Sequence, residues 1–484
     1  MRHNRALLSR VSMIVGLTVG CGVFSDSYAQ QPEKLNVVLF LIDDLGWNDV
    51  GCYGSDYYQT PHIDQLAEEG VKFTNGYAAA AICSPSRASI LTGRYPARML
   101  LTNWIPDGRW DRKKHRLKEG RFVRALPLEE YTLAEALREV GYQTGFVGKW
   151  HLGGLPFYYP EHQGFQVNIG GNDMGNPGNY FYPYNGTWRV PTTPLQATWH
   201  VLGDGEQYDI RREGEYLTDR LTDESIEFIR KNQDQPFFLM LSHYAVHTPL
   251  QAKEEKIARY EEVPEADRQG KPTYAAMIES VDESVGRVMQ TLQDLQLDDR
   301  TLVIFTSDNG AYYKASSSRP LRGNKGSYFE GGIRVPFIIK SPTQVNKGIV
   351  SDVPVIGNDL YPTVLAATGL PLRPYQHLDG ENLIPIINST GGLEREALFW
   401  HFPHYNGHPD AAPVGVIRRG PWKLIEYFDE DRQELYNLEE DLSETQDLSE
   451  QRPEQTSRLY EELQVWRESV RAEMPQPNLE YEGK

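Results

Sequence analysis

Two oxygen-rich pairs stand far apart in the 484-residue chain, Asp43-Asp44 and Asp308-Asn309. Each directly follows an apolar run, "LNVVLFLI" and "TLVIFTS". One such pair alone reads as a turn closing a strand, a place where Asp and Asn are at home. Two pairs at the ends of similar strands make four hard oxygen donors, which suit Ca²⁺ or Mg²⁺; no His or Cys cluster at zinc spacing competes with them. Five further residues carry or can accept positive charge: Arg87, Lys149, His151, His247 and Lys325. Singly, each is ordinary as a solvated charge or a core histidine. Aimed together at one crevice of an acidic protein, they describe a pocket for a tetrahedral oxyanion.

Cys83 sits in "AAAICSPSRASILTGR", ahead of Pro85 and Arg87. A proline at an early helical position places the cysteine at a helix N-terminus, where backbone N–H groups and the helix dipole favour negative charge. A thiolate would gain reactivity there, yet it is poorly matched to a hard cation, which takes oxygen. A Cys52 to Cys83 disulfide is the plain structural alternative.

The elements that must position these residues follow an alternating grammar. "LNVVLFLIDDLG" reads as a strand buried on both faces, and "TPHIDQLAEEG" as a helix with Thr60 as N-cap, Pro61 first and Gly70 as stop. "YTLAEALREVG" carries a capping box, Thr132 with Glu135, and runs into the strand "YQTGFVGKW". Two more helix-then-strand units follow, ending at "QPFFLMLSHY" and "RTLVIFTSDNG". This order predicts an α/β fold, a large and mainly parallel sheet sandwiched by helices. In such sheets ligands sit beyond the carboxyl ends of the strands, where Asp43, Asp44, Lys149, His151, His247, Asp308 and Asn309 fall.

From about 153 to 215 the periodicity gives way to Gly, Asn, Tyr and Pro, which predicts a long substrate-facing loop. From about 395 the pattern changes to "GVIRRGPWKLIEYF", "QELYNL" and an amphipathic "PEQTSRLYEELQVWRESV". These predict a smaller C-terminal α+β subdomain, an antiparallel sheet plus a helix, over residues 395–484. Residues 30–394 then form the catalytic domain.

At the N-terminus, Arg2, Arg5 and Arg10 precede an apolar run to Phe24 and small residues near Ala29. Residues 1–29 read as a signal peptide for export to the periplasm or beyond, with lipid attachment at Cys21 as the lesser reading. The formal charge of −18 becomes −20 without that segment, which removes three arginines and Asp26. So acidic a chain disfavours nucleic acid as a partner, and no later run is long enough for stable membrane insertion. An anionic substrate needs local positive charge.

"CSPSRASILTGR", "DDLGWNDVGCYGS", "GYQTGFVGKWHLG", "HTPL", "TSDNG" and "LRGNKGSYFEGGIRVP" together resemble the type I sulfatases, from about residue 35 to 470. That resemblance implies an alkaline-phosphatase-like fold and a sulfuric ester hydrolase. It implies that a maturation enzyme converts Cys83 to formylglycine, and that Asp43, Asp44, Asp308, Asn309 and the modified Cys83 hold one Ca²⁺. Arg87 and Lys149 would position the Cys83-derived oxygen, His151 would assist its turnover, and His247 and Lys325 would serve the sulfate and the leaving group. Phosphate or phosphonate ester hydrolysis, or glycan binding without turnover, are the alternatives.

Export and the aromatic loop favour a sulfated carbohydrate, with galactose or N-acetylgalactosamine sulfate as the specific expectation. Asn172, Asp173, His200, His401 and His404 are its polar candidates for sugar contact.

Overall fold

The structure is a computed structural model that describes residues 34–482 apart from 107, 155, 183 and 185–213. Residues 1–29, for which a signal peptide is expected, with Cys21, and His200 lie outside the described residues. No helix among the described residues is long and apolar enough to cross a membrane.

Eight strands form the main sheet: β1 (Asn36–Ile42), β2 (Val71–Phe73), β3 (Gln143–Gly148), β4 (Val167–Ile169), β5 (Phe237–Ser242), β6 (Thr301–Ser307), β7 (Phe337–Lys340) and β8 (Ile349–Ser351). Their order is β8-β2-β7-β6-β1-β5-β3-β4. All neighbours run parallel except β7, which opposes both β2 and β6. The fold is therefore α/β with a mostly parallel sheet, as the alternating grammar predicts.

Strand β1 lies at the centre and every residue of it is buried. Val38, Phe40 and Ile42 join one core, shared with α1 (Pro61–Glu69), α4 (Leu217–Lys231) and α5 (Pro272–Asp294). Val37, Leu39 and Leu41 join the opposite core, with α2 (Cys83–Thr92), α3 (Leu133–Glu139) and α6 (Leu360–Ala367). Alternation across the pleat feeds both layers, so a continuous apolar run is what a central strand needs. The Thr132 and Glu135 capping box at the start of α3 is formed in both directions.

The C-terminal part is a four-stranded antiparallel sheet, β9 (Ala397–Phe402), β10 (Val414–Arg419), β11 (Trp422–Tyr427) and β12 (Arg432–Asn437), closed by α7 (Pro453–Val470). Its core takes in Tyr77 and Ala79–Ile82, the stretch that leads into α2.

Candidate active site

Three adjacent strands, β6, β1 and β5, end side by side, and β3 follows β5. Asp43 and Asp44 extend β1, Asp308 and Asn309 extend β6, His247 follows β5, and Lys149 and His151 follow β3. The Asp43 N–H donates to Ala245 O at 3.0 Å and the Asp308 N–H to Ile42 O at 3.1 Å, so the strand ends are tied together beyond the sheet. Asp44 and His151 are held with φ of 62° and 57°, an uncommon left-handed conformation for residues with a side chain, and one that clusters at functional sites.

Two glycines allow the close approach. A Cβ on Gly148 would lie 1.9 Å from Ser242 O, and one on Gly310 would lie 1.9 Å from Gly331 O. Without them the segments carrying Lys149 and Asn309 could not come so near their neighbours.

Cys83 opens α2, so Pro85 is the third residue of the helix. The Cys83 Sγ lies 3.8 Å from Asp43 Oδ1. Neither it nor Cys52 is bridged, which sets aside the disulfide. Burial pushes the Cys83 thiol up to about 11, outweighing the attraction of Lys149 and Lys325, so the helix N-terminus does not yield a free thiolate.

The carboxylates and cations interlock. Lys149 Nζ donates to Asp43 Oδ2 at 2.7 Å, and Arg87 Nε donates to Asp308 Oδ2 at 2.7 Å. Arg87 Nη1 is fixed by Lys149 O at 2.8 Å and Ser242 Oγ at 2.7 Å. Lys325 Nζ lies 2.7 Å from Asp44 Oδ1, Asn309 Nδ2 donates to the same oxygen at 2.8 Å, and His247 Nε2 stands 3.7 Å from Asp44 Oδ2.

Burial lifts Asp43 to about 8 against the pull of Lys149, with Asp308 and Asp44 adding repulsion. Asp44 is also penalised by burial, but Lys325, by its charge and its hydrogen bond, more than offsets this and holds it below the carboxylate range.

The two histidines differ in which nitrogen is free. His151 Nε2 lies 2.6 Å from Ile105 O, an acceptor, so that nitrogen carries the hydrogen; Nδ1 is buried without a partner. His247 Nδ1 lies 2.8 Å from Thr248 O, which leaves Nε2 facing Asp44. Burial lowers both, His247 to about 3 and His151 well below its ordinary value, so both rings are neutral here.

The donor set fits a hard cation. One ligand atom each from Asp43, Asp44, Cys83 and His247 lies within 4.8 Å of the others, a span one ion can bridge; two of the four are carboxylate oxygens, the Cys83 sulfur stands where an oxygen would suit a hard cation, and Asp308 is not in this group. Asn309 Oδ1 is buried with no hydrogen-bond partner beside this cluster, a further oxygen free to ligate.

The sugar-contact candidates fare differently. Asn172 O accepts the His151 N–H at 2.9 Å, so Asn172 shapes the site through its backbone. Asp173 is exposed on the same loop. His401 and His404 are not joined to the site: His401 Nε2 lies 3.0 Å from Glu473 O, and His404 is held by Thr102 Oγ1 at 2.8 Å and Glu119 Oε2 at 3.1 Å. Both rings are buried, His401 against Phe428 and Glu473 and His404 against Thr102, Glu119 and Phe122.

Sequence reasoning also misses the supports. Ser242 locks Arg87, the Ile105 carbonyl sets the His151 tautomer, and Tyr274 Oη donates to Asp44 O at 2.9 Å.

Residues 35–370 match the Sulfatase family, and residues 324–471 match the family described as N-sulphoglucosamine sulphohydrolase, C-terminal. The chain belongs to the sulfatase family. This sulfatase is 33% identical to the N-acetylgalactosamine-6-sulfatase of Canis lupus familiaris over 416 residues, 84% of this chain and 75% of that one. It is 29% identical over 504 residues to a sulfatase of Formosa agariphila, covering 90% and 89% of the two chains. The crystal structure of Ps i-CgsB in complex with k-i-k-neocarrahexaose matches with a TM-score of 0.74 and 32% identity over 90% of this chain and 93% of that one. The phosphonate monoester hydrolase of Agrobacterium radiobacter, at 21% identity and TM-score 0.63, shares the fold. The sulfatase hydrolyses sulfate esters.

Proposed function

We propose that this sulfatase is an exported, calcium-dependent enzyme that removes sulfate from a galactose or N-acetylgalactosamine unit of a carbohydrate, with formylglycine made from Cys83. The observation that carries the proposal is the place of Cys83, at the mouth of a helix and 3.8 Å from Asp43 Oδ1 inside the acidic cluster. There the Cys83 Sγ stands in for the oxygens of a hydrated aldehyde.

Asp43, Asp44, Asp308 and Asn309 would hold a calcium ion, which would supply positive charge against the sulfate oxygens. Formylglycine supplies a hydroxyl that attacks sulfur and a second hydroxyl through which sulfate can leave.

The chain's own residues do the rest. Asp43, Asp44 and Asp308 face Arg87, Lys149 and Lys325, so a dication tips the site to net positive and favours an anionic ester. Arg87, braced by Ser242 and Asp308, keeps Lys149 O and the end of α2 in register. Lys149 and Lys325 stabilise charge that grows on the sulfate oxygens. His151 would take, at the unpartnered Nδ1, the proton of the hydroxyl through which sulfate leaves, and His247, once protonated at Nε2 from Lys325 or solvent, would donate that proton to the departing alcohol.

The named relatives support the sugar, since one is an N-acetylgalactosamine-6-sulfatase and another was solved with neocarrahexaose.

Peptide mass spectrometry across Cys83 is the direct test. Conversion of the thiol to the aldehyde lowers the peptide mass by about 18 Da. An unmodified thiol in a sample that still releases sulfate overturns the formylglycine assignment. Comparing matched sulfate and phosphate esters tests the reaction class, and a strong preference for phosphate overturns it.

A further inference from the structure

The chain carries −18 overall, yet residues 109–124 hold eight Lys and Arg against only Asp111 and Glu119. All eight are exposed. The Arg109 end of this basic strip approaches the active site. It follows Ile105, whose carbonyl holds His151 and whose N–H donates to Ser84 Oγ at 3.2 Å, next to Cys83. Its first cation, Arg109, lies over the ring of Trp104 at 5.8 Å. The aliphatic part of Arg109 lies beside Gly407, next in sequence to Asn406, which donates to Gly326 O at 2.7 Å beside Lys325.

The strip already meets anions of this chain's own C-terminal end. Gln476–Pro477 pairs antiparallel with Leu117–Lys118. Around that pairing, Arg121 meets Glu473 at 3.1 Å, Lys113 meets Glu482 at 3.1 Å, and Arg112 meets Glu480 at 3.6 Å. These are exposed pairs of the kind that contribute little and yield to salt or to a better anion.

We propose that the strip from Arg109 to Arg124 docks further sulfate groups of the same glycan, so that the substrate is a polysulfated chain, and that the acidic C-terminal end rests on the strip as its internal counter-charge. This rests on the sulfated-carbohydrate reading above. A chain of strong negative charge repels a polyanion as a whole, so a concentrated band of cations next to the catalytic crevice is the means by which such a substrate approaches in register. Trp104 adds a planar face of the kind on which sugar rings stack.

The test uses the full mature enzyme and dextran sulfate as probe, with neutral dextran as control, by calorimetry at low ionic strength. The triple variant Arg109→Ala/Lys114→Ala/Lys118→Ala is expected to bind the probe about tenfold more weakly, with a flatter salt dependence. Charge-matched Arg138→Ala/Lys347→Ala/Arg458→Ala, on exposed residues elsewhere, should bind like the wild type. Glu480→Gln/Glu482→Gln should tighten binding a few-fold. Equal weakening by both triple variants, or by neither, overturns the proposal. So does a tail variant that binds more weakly. If the binding pattern holds but no sulfate leaves any carbohydrate ester, the strip stands and the carbohydrate-sulfatase reading falls.

Discussion

Two buried clusters of charge among the described residues are built to opposite ends. One is the candidate catalytic cluster at the strand ends. The other joins Glu330 to the C-terminal sheet: Lys423, on β11, lies 2.9 Å from Glu330 Oε1 and 2.8 Å from Glu444 Oε1, with all three side chains inaccessible to solvent. Glu330 also accepts from Tyr77 Oη at 2.7 Å and its N–H donates to Glu444 Oε2 at 2.6 Å, while Arg418 donates to Tyr77. The second cluster is tied down from several sides. The first leaves Arg87 Nη2, His151 Nδ1 and Asn309 Oδ1 buried without hydrogen-bond partners; in the second, Glu444 Oε1 is without a hydrogen-bond partner but stands 2.8 Å from Lys423 Nζ. Unmet hydrogen-bonding capacity in a folded protein is costly, so the three atoms at the strand ends are what a ligand or cation there would satisfy.

That contrast can be broken by experiment. Cys83→Ala has the largest expected effect, a loss of turnover on the order of 10⁶-fold with a nearly unchanged melting temperature. Retained turnover misassigns the nucleophile. Asp308→Ala should lose activity and bound calcium together, measured by metal analysis and by rescue of a chelated wild type with added Ca²⁺. Full activity in the chelated enzyme would break the metal assignment. Lys325→Ala should lower kcat by about 10²–10³-fold, the usual cost of removing one donor to developing charge.

The second cluster should respond in stability instead. Lys423→Met strands two buried carboxylates and is expected to cost about 3–5 kcal/mol in denaturant unfolding, with the specific activity of the folded fraction retained. An activity loss larger than the stability loss would merge the two clusters into one.

The smallest effect is a pH dependence. Burial lifts Glu444 to about 7 despite Lys423, so its stabilising contribution is complete below its ordinary 4.5 and is lost as pH rises toward 7. Glu330 behaves in the reverse sense. Burial opposes its ionisation, but Lys423, Arg334 and Arg418 bring it down to about 2, so its contribution is present above 4.5 and lost as pH falls toward 2. Glu444→Gln should flatten the decline in melting temperature between pH 4.5 and 7. An unchanged slope assigns that decline to another group.

The catalytic cluster was largely legible in the sequence because buried parallel strands read as unbroken apolar runs, and Asp43, Asp308 and Lys149 follow them directly. The capping box at Thr132 was legible for a similar reason, since its partners are three residues apart. What was not legible depends on backbone or on distant pairing. The Ile105 carbonyl that orients His151 has no side-chain signature. His401 lies between Trp400 and Phe402 on β9, all three buried, so its environment is core packing rather than a sugar site. The basic strip is a charge run that the sequence reading passed over, and its place near Cys83 and Lys325 comes from the Ile105 and Arg109 contacts.

The burial of α2 sets a timetable. All ten residues from Cys83 to Thr92 are buried, and Cys83 itself is 4% exposed. Asp44 and Lys325, which meet beside it, are 281 residues apart. An enzyme that alters Cys83 cannot reach it in the finished fold, so it must act while the chain is still open. Because the last wall of the pocket arrives late in the sequence, a chain made from its N-terminus offers that enzyme an interval between the emergence of Cys83 and the arrival of Lys325. Maturation is then a race against folding, and a slower-folding variant would be expected to leave a larger fraction of its molecules converted.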